Sequence, residues 1–293
     1  MTSNRPSASD DLVRFTKMHG AGNDYIYIDC LKSMPDKPDK LAEEISSRHF
    51  GVGSDGLVLI CPSDVADLRM RMFNADGSEG KMCGNAARCI ALYAVSHGLV
   101  DSDTINLETL SGLKVLIVNR DSQGYFESVT VDMGAPVFDS DSIPVLSQGS
   151  TMIEEEIPTS RGIIKATAVS MGNPHCVIFV DSLDEIDFDI LGPELECNPL
   201  FPDRTNVEFV EILSPDTVRV RVWERGSGET LACGTGACAV AAASLLTSRT
   251  GREITVRLRG GDLRIKIDQE TGHVLMTGPA EEVFEGVYRR KEK

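Results

Sequence analysis

Apolar and polar positions alternate in short stretches along much of the chain. "YIYID" (25–29), "LRMRMF" (68–73), "VTVDM" (129–133), "CVIFVD" (176–181), "VEFVEI" (207–212), "VRVRVW" (218–223), "ITVRL" (254–258) and "LRIKI" (263–267) are rich in β-branched and aromatic residues. Period-2 alternation or a short apolar run of this composition predicts strands. Two segments differ. "GNAARCIALYAVSHG" (84–98) and "GTGACAVAAASLLTSRTG" (234–251) run without proline and end in glycine, which predicts helices with C-caps at Gly98 and Gly251. Both are apolar nearly all round, so each is expected to lie buried against a sheet.

The pattern also repeats. "LRMRMFNADGSEGKMCGNAARC" (68–89) lies over "VRVRVWERGSGETLACGTGACA" (218–239) at a shift of 150 residues, the separation of Cys83 from Cys233. The same shift brings Gly22-Asn23 over Gly172-Asn173 and Leu57–Ile60 over Val207–Val210. Three segments at one offset indicate a duplication. The expected fold is therefore α+β, with two pseudo-symmetric duplicated lobes. Each lobe is a curved, mostly antiparallel sheet wrapped around one central helix, with the active site in the cleft between them. The lobes are read as 1–134 and 135–278, meeting near "MGAPVFD" (133–139), with the tail 279–293 returning to the first lobe.

Composition narrows the function. The 293 residues have a formal charge of −16, and the only basic cluster is the terminal "RRKEK", which argues against a nucleic-acid partner. No run of eighteen apolar residues and no apolar segment in "MTSNRPSASDDLVRF" suggests a membrane span or a secretory signal, so a cytoplasmic protein without a membrane partner is expected. Eight cysteines are too sparse for a disulfide scaffold and are expected to stay reduced.

Two of those cysteines, Cys83 and Cys233, stand at the heads of the two predicted helices. Unpaired N–H groups and the positive end of the helix dipole lower a thiol's pKa there. Gly84 and Gly234 follow, allowing close backbone approach, and Asn85 and Thr235 offer polar contacts beside amides that suit a carboxylate. If the lobes face each other about a pseudo-twofold axis, the thiols approach one point from opposite sides. One thiolate would remove an α-proton and the other thiol would protonate the opposite face. The competing interpretation of each thiol alone is a buried packing residue. Cys89 and Cys238 serve as controls: six and five residues further on, they point about 240° and 140° away at 100° per residue. They are expected to pack, as are Cys30, Cys61 and Cys197. A metal site fares poorly, because there is no C-x-x-C or H-E-x-x-H and the five histidines are scattered. "GVGSDG" (51–56) matches G-x-G-x-x-G but follows a helix-like segment and precedes a strand-like one, the reverse of the dinucleotide fingerprint.

With "MHGAGNDYI" (18–26), "FNADGSEGKMCGN" (73–85), "MGNPHCV" (171–177), "RTNVEF" (204–209), "WERGSGETLACGTGA" (223–237) and "VFEG" (283–286), the chain resembles the diaminopimelate epimerases. These are cofactor-independent amino-acid epimerases of lysine and peptidoglycan precursor synthesis. The resemblance implies isomerisation of a small diamino diacid, LL- to meso-2,6-diaminopimelate, with Cys83 and Cys233 as acid and base and no pyridoxal phosphate or metal. It implies that Gly84, Asn85, Gly234 and Thr235 hold the substrate α-carboxylate. Asn23, Asn74, Asn173, Asn206, Glu224 and Arg225 are then expected around its other polar groups, and His175 and Glu224 beside the thiols as further catalytic groups. Arg225 suits a bidentate carboxylate contact. It further implies a homodimer with Phe284 at the interface. A racemase of proline or another amino acid on the same fold is the alternative enzyme, and an amino-acid-binding protein the alternative outside catalysis. Two positions depart from the family pattern. Gly56 stands where many members carry Gln, removing one side-chain contact to substrate, and Ala86 replaces a Gly in the first turn of the helix.

Overall fold

The computed structural model describes residues 12–290. They fall into two compact units, residues 12–129 with 280–290 and residues 130–279. The first contains β1 (Leu12–Gly20), β2 (Asn23–Asp29), α1 (Pro38–Ser46), β3 (Gly56–Cys61), β4 (Leu68–Asn74), β5 (Glu79–Gly80), α2 (Gly84–Ser96), β6 (Thr104–Thr109) and β7 (Gly112–Arg120). β8 (Phe126–Asp132) runs from it into the second unit. There follow β9 (Glu155–Thr159), β10 (Gly162–Ser170), β11 (Pro174–Val180), α3 (Phe188–Glu196), β12 (Asn206–Ser214), β13 (Thr217–Glu224), β14 (Gly228–Thr230), α4 (Gly234–Leu246), β15 (Glu253–Leu258), β16 (Gly261–Ile267) and β17 (Val274–Gly278). The chain closes with β18 (Glu281–Arg289) in the first unit.

The duplication is carried through the secondary structure. β1, α1 and α2 start and end 150 residues before β10, α3 and α4, and the pairing order is the same in both units. In the first, β1 is antiparallel to β2, β2 parallel to β3, β3 antiparallel to β4 and β4 parallel to β6, which is antiparallel to β7. In the second, β10, β11, β12, β13, β15 and β16 repeat that series. The parallel pairs explain the helices, because two parallel neighbours cannot be joined by a hairpin and need a crossover. α1 and α2 make the two crossovers of one unit, α3 and α4 those of the other. Each repeat therefore has a second, short helix in addition to the central one that the sequence pattern singled out, and α1 and α3 pack in separate core clusters with strand residues. On the outer side of β1 lies β18, and on that of β10 lies β9, both antiparallel.

The central helices are buried as their composition requires. In α4 the residues from Gly236 to Ser244 are all buried, and the helix packs on β10, β11, β12, β15, β16 and β17. Six strands of one sheet can touch one helix only if the sheet curves around it. α2 packs on β1, β7 and β18 and buries Arg88 completely, its guanidinium reaching Gly20 at the end of β1. α2 ends at Ser96, and Gly98 just beyond its His97 C-cap, at φ 66°, lets Leu99 donate back to the Ala94 carbonyl. α4 instead ends at Leu246, short of Gly251, because Ser248 takes the left-handed conformation (φ 58°) expected of a glycine. Among the described residues no helix is long and apolar enough to cross a membrane.

Candidate active site

Both helix heads are formed in the same way. Cys83 and Cys233 are the N-cap residues of α2 and α4, with extended backbone (φ −138° and −118°) ahead of thirteen helical residues each. Facing each head is a hairpin turn that presents an asparagine. The β1–β2 turn has only Ala21 and Gly22 between its paired ends, both at positive φ, and delivers Asn23. The β10–β11 turn has Gly172 at φ 95° and delivers Asn173.

In the first unit Cys83 is partly exposed and its thiol donates to Asn23 Oδ1 at 3.5 Å. Asn85 Nδ2 donates to the same oxygen at 3.2 Å, and Asn23 Nδ2 donates to Asp55 Oδ2 at 2.8 Å. Asp55 is held in turn by Arg48, which also pairs with Asp24, itself bonded to Lys17. Cys83, Gly84, Asn85 and Asn23 are thus together. Asn74 is not part of this network: it is exposed at the end of β4, donating to Ser78 Oγ at 2.9 Å.

The second unit places more ionisable groups around its thiol. Cys233 is buried, and its Sγ accepts from the Gly236 N–H at 3.4 Å and lies 3.5 Å from Thr235 Oγ1. Asn173 Nδ2 donates to Thr235 Oγ1 at 3.4 Å, while Asn173 Oδ1 lies 3.1 Å from His175 Nε2. His175 Nδ1 lies 2.7 Å from Glu208 Oε1, both side chains being fully buried. Glu224 accepts from Thr230 Oγ1 at 2.6 Å and is within hydrogen-bonding reach of the Cys233 thiol. Asn206, beside His175 in the sheet register, fixes the local backbone by donating to the Pro174 carbonyl and accepting from the Arg225 N–H, each at 2.9 Å. Arg225 itself is exposed, with Nη1 donating to the Asp203 carbonyl. Cys233, Gly234, Thr235, Asn173, His175, Asn206 and Glu224 therefore gather at one helix head.

Two expectations are corrected. The helix head does not leave Cys233 with a low pKa: burial pushes the thiol well up, and the carboxylates of Glu224 and Glu208 add to this. Thr235 and the Gly236 N–H oppose the rise without overcoming it. Burial also raises Glu224, followed by the smaller effects of Thr230 and His175, which lower it. Second, Cys197 is exposed at the C-cap of α3 rather than packed. Cys30, Cys61, Cys89 and Cys238 are buried, and burial pushes Cys89 up to about 12. Cys89→Ala and Cys238→Ala are expected to keep full turnover and lose about 1–2 kcal/mol in denaturant unfolding.

Glu208 and Asp55 were not singled out from the sequence. The signal for Glu208 is an acidic residue at the third position of β12, between Val207 and Phe209, where its repeat counterpart is Val58. Asp55 lies in the "GVGSDG" loop, which drew notice only for its glycines.

The duplicated fold is shared with solved structures of epimerases and their relatives. A hydroxyproline epimerase from Agrobacterium vitis superposes with a TM-score of 0.69 at 16% identity, covering 95% of this chain and 93% of its own. A PhzF-family phenazine biosynthesis protein from Bacillus anthracis gives 0.68 at 16% identity, with 94% and 98% covered. At such identities the likeness is one of fold. Sequence carries it further. The diaminopimelate epimerase family matches residues 15–138 and 167–283. The diaminopimelate epimerase of Phocaeicola vulgatus is 54% identical over 274 residues, 94% of this chain and 97% of its own length. That of Methanococcus maripaludis strain C5 is 51% identical over 274 residues, with 94% and 99% covered. The chain belongs to the diaminopimelate epimerase family, and it is an isomerase.

Proposed function

We propose that the protein interconverts LL- and meso-2,6-diaminopimelate with Cys83 and Cys233 as the acid–base pair, using neither pyridoxal phosphate nor metal. One observation carries this reading: the only thiols at helix heads among the described residues are these two, on matched helices, each beside an asparagine delivered by a hairpin turn. One sulfur, as thiolate, takes the α-proton, breaking the C–H bond and forming S–H. The other thiol gives its proton to the opposite face, and the reverse reaction exchanges the roles. The first-turn N–H groups of the two helix heads, at Gly84 and Asn85 and at Gly234 and Thr235, suit the α-carboxylate. Asn23, Asn74, Asn173, Asn206, Glu224 and Arg225 supply the donors and acceptors that the ammonium groups and distal carboxylate require. His175 and Glu224 adjust the protonation of Cys233.

Solvent exchange tests the reading. In deuterated water the protein is expected to epimerise LL-diaminopimelate with deuterium entering the α-position, and to leave L-proline unlabelled. Labelling of proline in place of diaminopimelate overturns the substrate assignment, and tight binding of diaminopimelate without exchange overturns catalysis.

The pH dependence follows from Glu224. As a carboxylate it accepts the Cys233 proton, and it loses that capacity when pH falls through its own pKa. Because burial raises that pKa above the ordinary 4.5, the acid limb of kcat is expected to have its midpoint above 4.5, with turnover lost below it. Glu224→Gln is expected to abolish this limb and lower kcat by roughly 100-fold, in the usual range for a proton-transfer partner. An unchanged limb in that variant would show that Glu224 does not set it.

The pathway role, in lysine and peptidoglycan precursor synthesis in the cytoplasm, rests on the family membership. Assembly as a homodimer through β18 is supported by the exposed side chains of Val283, Phe284 and Val287 on that strand.

A further inference from the structure

The two repeats differ where their asparagines meet charge. Behind Asn23 stands a carboxylate: Asp55 draws the Nδ2 end, leaving Oδ1 to accept from Cys83. Behind Asn173 stands His175, and here Oδ1 faces the ring while Nδ2 faces Thr235. The same residue in the same turn is thus reversed end for end. In the repeat alignment His175 replaces Tyr25, Glu208 replaces Val58 and Gly236 replaces Ala86. These three exchanges fit together. A Cβ at Gly236 would lie 2.7 Å from Glu208 Oε1, so glycine lets the carboxylate sit against the first turn of α4, whose amides stabilise an anion.

We propose that Glu208 is a positioning residue: it holds His175 with both ring nitrogens protonated and so fixes Asn173 with its NH2 toward Thr235 and, through that hydroxyl, a proton donor on Cys233. The hydrogen-bond bookkeeping supports this. A carboxylate and an amide oxygen can only accept, so a ring set 2.7 Å from one and 3.1 Å from the other donates from both nitrogens. Asn173 Nδ2 then donates to Thr235 Oγ1, and the hydroxyl hydrogen is left for Cys233 Sγ, which already accepts from Gly236. Glu208 Oε2 has no hydrogen-bond partner, so the imidazolium and the helix amides supply its compensating charge. Cys233 and Glu224 face the same cluster from α4 and β13, and Cys176 from β11. Of these Glu224 is the one carboxylic acid, and burial raises its pKa as it raises those of the two thiols. Through this chain Glu208 decides whether Cys233 Sγ receives a hydrogen bond from Thr235 in addition to the one from Gly236, while Asp55 arranges that Cys83 gives one.

This inference rests on the two-thiol reading, and its test is separable from it. In the full-length protein labelled with 15N-histidine, both ring nitrogens of His175 are expected to be protonated at neutral pH, with the signal assigned by its loss in His175→Gln. Glu208→Gln is expected to leave the ring neutral, to lower kcat roughly 10- to 100-fold with KM within about threefold, as for other residues that orient a working group from behind, and to alter the pH profile of kcat. Glu208→Asp, which restores the charge, is expected to recover part of kcat and the original profile. A neutral His175 ring in the unmodified protein overturns the proposal, as does a Glu208→Gln variant with unaltered kcat and pH profile. If Glu208→Gln does not fold, the spectrum of the unmodified protein decides alone. Deuterium incorporation into diaminopimelate by that protein tests the two-thiol reading whatever the ring's state.

Discussion

Cys83→Ala and Cys233→Ala are each expected to abolish epimerisation while leaving different traces of proton exchange. Inversion at a carbon acid needs a base on one face and an acid on the other, so either alanine removes one of two indispensable groups. The loss is expected to reach at least 1,000-fold, within the range seen when an acid–base group is removed outright. The remaining thiol still reaches its own face, where it can take a proton and return one from solvent. Each variant is therefore expected to wash deuterium slowly into one stereoisomer only, and the two variants into opposite ones. Folding is not expected to be the cause of either loss. Cys83 is only half-buried, and the helix head at Cys233 loses one weak sulfur acceptor for the Gly236 N–H. Chiral chromatography of substrate recovered from deuterated water gives both answers in one experiment. Near-normal epimerisation by either variant, or labelling of the same stereoisomer by both, would end the two-thiol reading.

Much of the fold could be read because duplication wrote it twice. A shift of 150 residues, visible in "MCGN" against "ACGT", recurs in the bounds of β1 and β10, α1 and α3, and α2 and α4. Two central helices were legible because both are long and apolar all round. α3 was not: it has nine residues, with Pro193 inside it, so neither length nor periodicity marks it. The end of α4 was misplaced because Ser248 adopts a conformation that sequence rules reserve for glycine or asparagine. At the site, the residues with side-chain contacts local to the helix heads and turns were legible, namely Cys83, Asn85, Cys233 and Thr235. Glu208 and Asp55 were not, because what makes them notable is non-local. Glu208 is an ordinary strand residue until the fold buries it against His175, 33 positions away, and Asp55 an ordinary loop residue until it meets Asn23, 32 positions away. The expected low thiol pKa failed for a related reason. The helix head is a local feature, whereas the burial and carboxylates that outweigh it at Cys233 are assembled by β12 and β13.

The second large effect is expected at Gly56, where many family members have glutamine. By the family resemblance a glutamine there would add a side-chain contact to substrate, but the surroundings of Gly56 in this chain oppose any side chain. Gly56 begins β3, paired with Tyr25 on one side and Asn74 on the other. A Cβ there would fall onto the Phe73 carbonyl oxygen and lie 2.8 Å from the Tyr25 ring. The first of these is backbone, in a strand held on both edges, and cannot swing aside as a flexible side chain would. Relief requires β3 and β4 to part locally, which disturbs Leu57 and Phe73, both buried in the core beneath. Gly56→Gln is therefore expected to destabilise the protein by about 2–4 kcal/mol, the range for overpacking and backbone strain in a core. That corresponds to a fall in Tm of roughly 5–15 °C for a chain with units of this size. Gly56→Ala, which adds the Cβ without the amide, is expected to account for most of the fall, since the collision begins at that atom. Differential scanning calorimetry of the two variants separates the possibilities. If both melt with the unmodified protein, the approach of Phe73 does not constrain the position. If only glutamine destabilises, the cost lies in the longer side chain rather than in the pairing of β3 with β4.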